Sequence, residues 1–124
     1  MAKASERGAV AVEFALLAPV LVMLLLGIAE FGRAYNAQIT LTNAAREGVR
    51  VMAINNSQTD ARTAAKNAAA LLNPALADGN VTFSAPSCTV GAQVSVTISY
   101  TLSTMTGIAG PFPMTGKGTM LCGG

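Results

Sequence analysis

Residues Ala9–Ala29, AVAVEFALLAPVLVMLLLGIA, hold one charge in 21 positions. A helix over Ala9–Gly32 has 24 residues and is about 36 Å long, enough to cross the roughly 30 Å hydrocarbon core of a bilayer with some tilt. The apolar region of a secretory signal peptide is shorter, about 7–15 residues, and is followed by a small-residue cleavage site. Here VLVMLLLGIAEFG ends without an A-x-A-like site, so the segment reads as a retained membrane anchor. In a chain of 124 residues this leaves room for one modest domain.

The anchor contains Glu13 near its start and Glu30 near its end. A carboxylate in lipid costs about 3 kcal/mol or well above, so each has to lie at an interface, pair, or serve a function. Glu30 is near the far interface with Arg33 three residues on, the spacing of a pair on one helix face. For Glu13 the nearest basic residue is Arg7, six positions back. Glu13 sits in the near headgroup layer, is protonated there, or serves a function.

Helical periodicity continues past the anchor. In Ala34–Ile54, Tyr35, Ile39, Thr42, Ala45, Val49 and Met52 or Ala53 recur at steps of three and four, while Asn36, Asn43, Arg46, Glu47 and Arg50 fill other faces. The simplest reading is one helix of about 45 residues that leaves the membrane near Gly32 and continues as an amphipathic stem. Pro19 should bend it, which a membrane helix tolerates. Gly48 either weakens the stem by up to about 1 kcal/mol or permits close packing on one face. Asn55, Asn56 and Ser57 end it. TDARTAAKNAAALL, Thr59–Leu72, reads as a second helix capped by Ser57 or Thr59 and closed by Asn73-Pro74.

After Gly79 the period changes to two. Val81–Ser84 is a short strand. Val94, Val96, Ile98, Tyr100 and Leu102 alternate with Ser95, Thr97, Ser99 and Thr101, the pattern of a half-buried strand. Gly107–Pro113 reads as a turn or loop, and Thr115–Leu121 as a returning strand. The expected fold is α+β: a long N-terminal helix, a second short helix and a small antiparallel sheet. The expected segments are a polar leader (1–8), a transmembrane helix (9–32), an amphipathic stem helix (33–57) and a small α+β domain (58–124).

Composition narrows the chemistry. Histidine is absent and there are two cysteines, so a Cys/His zinc cluster is excluded and no imidazole base is available. There is no G-x-S-x-G, phosphate loop or paired acidic motif. Asp60, Arg62 and Lys66 read as ordinary helix-surface charge. The chain is therefore expected not to be an enzyme and to need no cofactor. A net charge of +2 with no basic block is a poor footprint for nucleic acid. Cys88 and Cys122 lie 34 positions apart. They form a disulfide that staples a small domain if this part lies in an oxidising compartment, or are two independent thiols if it does not.

RGAVAVEFALLAPVLVMLLLGIAEFGRA followed by LTNAAREGVR resembles the TadE-like family of pilus-assembly minor pilins, or pseudopilins, of tight-adherence systems. The resemblance covers Ser5–Arg50 and implies a pilin-like fold. It also implies a leader cut by a prepilin peptidase between Gly8 and Ala9, and a glutamate at the fifth position of the product. Counted from Ala9, that glutamate is Glu13, and the family pairs it with the N-terminal amine of a neighbouring subunit. Implied partners are the peptidase, other pilins or pseudopilins, the assembly machinery and the membrane, with no nucleic acid. The flanking charges Lys3 and Arg7 against Arg33, Arg46 and Arg50 do not fix orientation. The resemblance implies a cytoplasmic N-terminus, one pass through the inner membrane and an extracytoplasmic C-terminal domain. The competing expectation is a membrane-anchored adaptor whose exported domain binds a partner without entering a filament.

Overall fold

The computed structural model describes residues 2–107 and 110–123, with side chains from Glu6 onward. Part of the expected Gly107–Pro113 turn, Ile108 and Ala109, lies outside the described residues, as do Met1 and Gly124. The order of elements is α1 (Ala2–Asn55), α2 (Gln58–Ala68), a short 3-10 turn (Asp78–Asn80), β1 (Val81–Phe83), β2 (Gln93–Leu102) and β3 (Phe112–Leu121). The chain is α+β, with a long apolar N-terminal helix, a shorter second helix and an open antiparallel sheet in the order β1-β2-β3. Two units divide it, Met1–Arg33 and Ala34–Gly124. The first is the apolar part of α1, within which Pro19 does not end the helix.

In the second unit the core lies between α1, α2 and one face of the sheet. Val94, Val96, Ile98, Tyr100 and Leu102 are all buried, so the strict alternation in β2 does place one face inward. Tyr100 carries a polar tip into this core and donates from Oη to the Pro74 carbonyl at 2.7 Å. On β3 the matching inward positions opposite Val96 and Ile98 are Gly118 and Gly116. A Cβ on Gly116 would lie 2.5 Å from the Leu41 carbonyl oxygen, and one on Gly118 would lie 2.9 Å from that of Ala45. The sheet thus meets the backbone of α1 directly, with Leu41, Ala44 and Ala45 filling the space beside the glycines.

This contact corrects only the start of the expected stem face, since Ala45, Val49, Met52 and Ala53 are buried as expected. Ala37, Leu41 and Ala44 are buried, whereas Tyr35 and Ile39 are 69% and 43% exposed. The glycine surface of β3 accepts Leu41 and Ala45 of α1, and periodicity within α1 alone does not show that Ala37 and Leu41 replace Tyr35 and Ile39 at the start of this face. Farther along, Gly48 permits the close approach of α2: a Cβ there would stand 3.3 Å from Ala65 Cβ and 3.4 Å from the Ala61 carbonyl oxygen.

Element ends follow local chemistry. Ser57 caps α2, its Oγ accepting from the Asp60 N–H at 3.2 Å. The helix stops at Ala68, earlier than the expected Leu72, and a turn carries Leu72 against the core while Leu71 is exposed. β1 ends at Phe83, one residue before the expected Ser84. β3 starts at Phe112, not Thr115, despite Pro113. The Ser84 N–H donates to the Ser95 carbonyl at 2.9 Å, so odd-numbered residues of β2 bond β1 and even-numbered ones bond β3. Pro113, paired with Thr101, therefore turns its missing N–H to the open edge, where no ladder bond is lost.

The end of α1 is tied in three ways. Asn56 takes a left-handed conformation (φ 51°) and its N–H donates to the Met52 carbonyl at 2.9 Å. Its Oδ1 accepts from the Cys88 N–H at 2.6 Å. The Gly123 N–H donates to the Ala53 carbonyl at 3.0 Å. Cys88 and Cys122 are bonded to each other in the structure, with Cα atoms 5.6 Å apart.

Two outcomes follow from these contacts. Gly116→Ala and Gly118→Ala should each destabilise the folded unit by about 1–3 kcal/mol, because α1 must be pushed off the sheet. Gly79→Ala, which meets nothing within 4 Å, should change the unfolding temperature little. The second concerns Asp78, whose carboxylate meets Lys66 Nζ at 2.7 Å. The hydrogen bond and charge of Lys66 hold Asp78 below its ordinary value of 3.8. A lowered folded-state value means that the pair's contribution is fully present above about pH 4 and is lost as pH falls through the folded value. It is small, since both groups are exposed. In a carboxyl NMR titration, Lys66→Met should move the Asp78 midpoint upward.

Candidate functional site

The N-terminal unit presents apolar surface all round. Phe14, Leu16, Leu25, Ile28 and Phe31 are more than half exposed, and no residue of its most apolar 18-residue window is buried. Among the described residues one helix is long and apolar enough to cross a membrane. So much contiguous apolar surface calls for a cover of lipid or of other helices.

Gly8 and Glu13 both stand exposed near the start of this surface, and nothing lies within 4 Å of a Cβ built on Gly8. Ala9 and Glu13 are four residues apart in α1. They share a helix face and are separated by about 6 Å along the axis. The structure thus holds Gly8, Ala9 and Glu13 within little more than one turn, open to an approaching partner. Cys88 and Cys122 belong to the other unit and take no part in this cluster. Glu30 differs from Glu13: it is 8% exposed and is the buried charged residue among the described residues. Its position at the end of the apolar run was readable from the sequence, and its burial was not.

The C-terminal unit adds features that periodicity did not reveal. Glu47 and Arg50 pair at 2.6 Å on the outer face of α1. The hydrogen bond from Arg50 lowers the Glu47 carboxyl from its ordinary value. Arg62, read from the sequence as plain surface charge, lies with its guanidinium carbon 4.9 Å from the centroid of the Phe83 ring. Clefts open on both sides of it, one bounded by α2 and β1 and the other by α2 and the 3-10 turn. The sequence signal for this arrangement was slight: an aromatic in a short edge strand and one arginine in an alanine-rich helix.

No curated protein and no solved structure matches the chain. A family model described as TadE-like protein matches residues 8–50. Over the stretch that contains Gly8, Ala9, Glu13 and the helical positions through Arg50, the chain is therefore similar to TadE-like proteins.

Proposed function

We propose that the chain is a minor pilin, or pseudopilin, of a tight-adherence pilus. In this reading the apolar part of α1 holds it in the inner membrane with the leader on the cytoplasmic side. The C-terminal unit is exported. The bond between Cys88 and Cys122 supports that side assignment, since disulfides persist in oxidising compartments. A prepilin peptidase cuts between Gly8 and Ala9, and the product joins other pilins or pseudopilins and the assembly machinery during pilus initiation or growth.

The observation that carries the reading is the exposed Glu13, four residues beyond Ala9 on an unburied apolar helix, within the matched segment. Cleavage would release an α-amine at Ala9, cationic near neutral pH with its usual pKa of about 7.7–8.0. Paired with Glu13 of a neighbouring copy or pilin, that amine offsets the cost of holding each charge in lipid. It also fixes the stagger of adjacent helices, because any other register leaves both charges unpaired. This step requires no catalytic group from the chain itself.

Intact mass and N-terminal sequence of the membrane-extracted protein test the processing step. A product beginning at Ala9 is expected, and one beginning at Met1 or Ala2 would sink it. Glu13→Leu should leave membrane insertion intact while reducing incorporation into pili on the order of a hundredfold, the scale set by an orphaned buried charge. If Glu13→Leu assembled like the parent protein, a membrane-anchored adaptor with an exported binding domain would be the better account.

A further inference from the structure

The cleft between α2 and β1 encloses about 360 Å³ and is lined by Gln58, Arg62, Thr82, Phe83, Ser84 and Pro86 among others. Its cation is held in place. Arg62 Nη1 donates to Gln58 Oε1 at 3.3 Å, and Gln58 Nε2 donates in turn to the Pro86 carbonyl at 3.1 Å. The guanidinium carbon lies over the Phe83 ring, 4.9 Å from its centroid. Arg62 Nε is buried with no acceptor, so the guanidinium is short of hydrogen bonds in the free protein.

No carboxylate pairs with Arg62 among the described residues. The field of Arg62 reaches Asp78, but that carboxylate is bonded to Lys66, and Glu47 is bonded to Arg50. The unit Ala34–Gly124 carries five basic and three acidic residues, and two of those acids are engaged in these pairs. Among the described residues the cleft therefore presents a fixed positive group that no carboxylate bonds.

The backbone beside it is open as well. Thr82 pairs with Thr97, and the Ser84 N–H donates to Ser95. Strand alternation then turns the N–H and C=O of Phe83 away from β2, toward the free edge of the sheet. A strand added at that edge sets the residue opposite Phe83 on the same side of the sheet as the Phe83 ring, and the Arg62 guanidinium carbon lies 4.9 Å from the centroid of that ring. Main-chain pairing and charge pairing are thus available at one residue of an incoming chain.

We propose that this cleft binds an extended acidic segment of a partner protein, whose backbone pairs with Phe83 and whose carboxylate at that position meets Arg62. The mode is β-strand addition at an edge, with one charged side chain supplying specificity. It is independent of how the apolar helix is used, so its failure and that of the pilin assignment are separable.

The test uses the full chain, isotope-labelled, in detergent micelles. The probes are the acetylated, amidated pentapeptide Val-Thr-Glu-Thr-Val and its counterpart with glutamine in place of glutamate. The glutamate peptide should shift the NMR signals of the Phe83 amide and the Arg62 Nε–H. It should bind about tenfold or more tightly than the glutamine peptide, as a charge-assisted hydrogen bond requires. Arg62→Gln should bring the two peptides to equal affinity. Equal affinity for the unaltered protein, or a Phe83 amide that does not move, overturns the proposal. So does inorganic phosphate if it displaces the glutamate peptide at equal concentration, since that would mark a plain anion site. The two-peptide comparison needs no substitution and holds even if Arg62→Gln fails to fold.

Discussion

The folded unit depends on how closely β3 approaches the backbone of α1. At Gly116 and Gly118 no side chain separates sheet from helix, and the main-chain atoms of Leu41 and Ala45 occupy the space that a Cβ would need. The consequences spread outward from that contact. Beside the bare strand Ala37, Ala44 and Ala45 face inward together with Leu41, while Tyr35 turns out. The bulk missing from β3 is supplied across the ladder by Val96 and Ile98 of β2, which pair with the two glycines. The core is thus assembled from a large-residue strand, a glycine strand and an alanine seam. Dispersion contacts at short range compensate for the modest apolar area of its small side chains.

The elements were largely legible in the sequence, because each is announced by a local period. The apolar run and the steps of three and four through Met52 make α1, and the alternation from Val94 to Leu102 makes β2. What was not legible depended on pairing between distant segments. Pro113 reads as a strand breaker until it is known to sit on an edge with its nitrogen facing outward. The inward side of α1 was readable from Ala45 to Ala53, but at its start Ala37 and Leu41 turn inward in place of Tyr35 and Ile39. The second helix looked longer because an alanine run has high helical propensity, whereas α2 ends at Ala68 and Leu72 packs against the core from the turn beyond it.

The candidate residues divided in the same manner. Gly8, Ala9 and Glu13 are close in sequence, so the sequence brings them together as surely as the helix does. Arg62 and Phe83 are 21 positions apart, and only the packing of α2 beside β1 makes them neighbours. The edge of β3 shows a complementary economy. Its outward positions carry Pro113, Lys117 and Thr115, and the Thr115 carbonyl accepts from Gln38 Nε2 at 2.8 Å. Proline, a charge and a satisfied carbonyl discourage pairing along this long edge. The short edge at β1 has fewer such guards.

The bond between Cys88 and Cys122 closes a ring of chain that contains all of β2 and β3. A strand at the end of a protein ordinarily peels away from its free terminus one pair at a time. Here β3 has no free terminus on the far side, since Cys122 follows directly after Leu121. A protease that nicks the segment between β2 and β3 would therefore leave both strands covalently attached, and the cut molecule, heavier only by the water of hydrolysis, would stay in one piece until a reductant is added. Damage at that loop becomes a scar in the chain, and the strand is not lost.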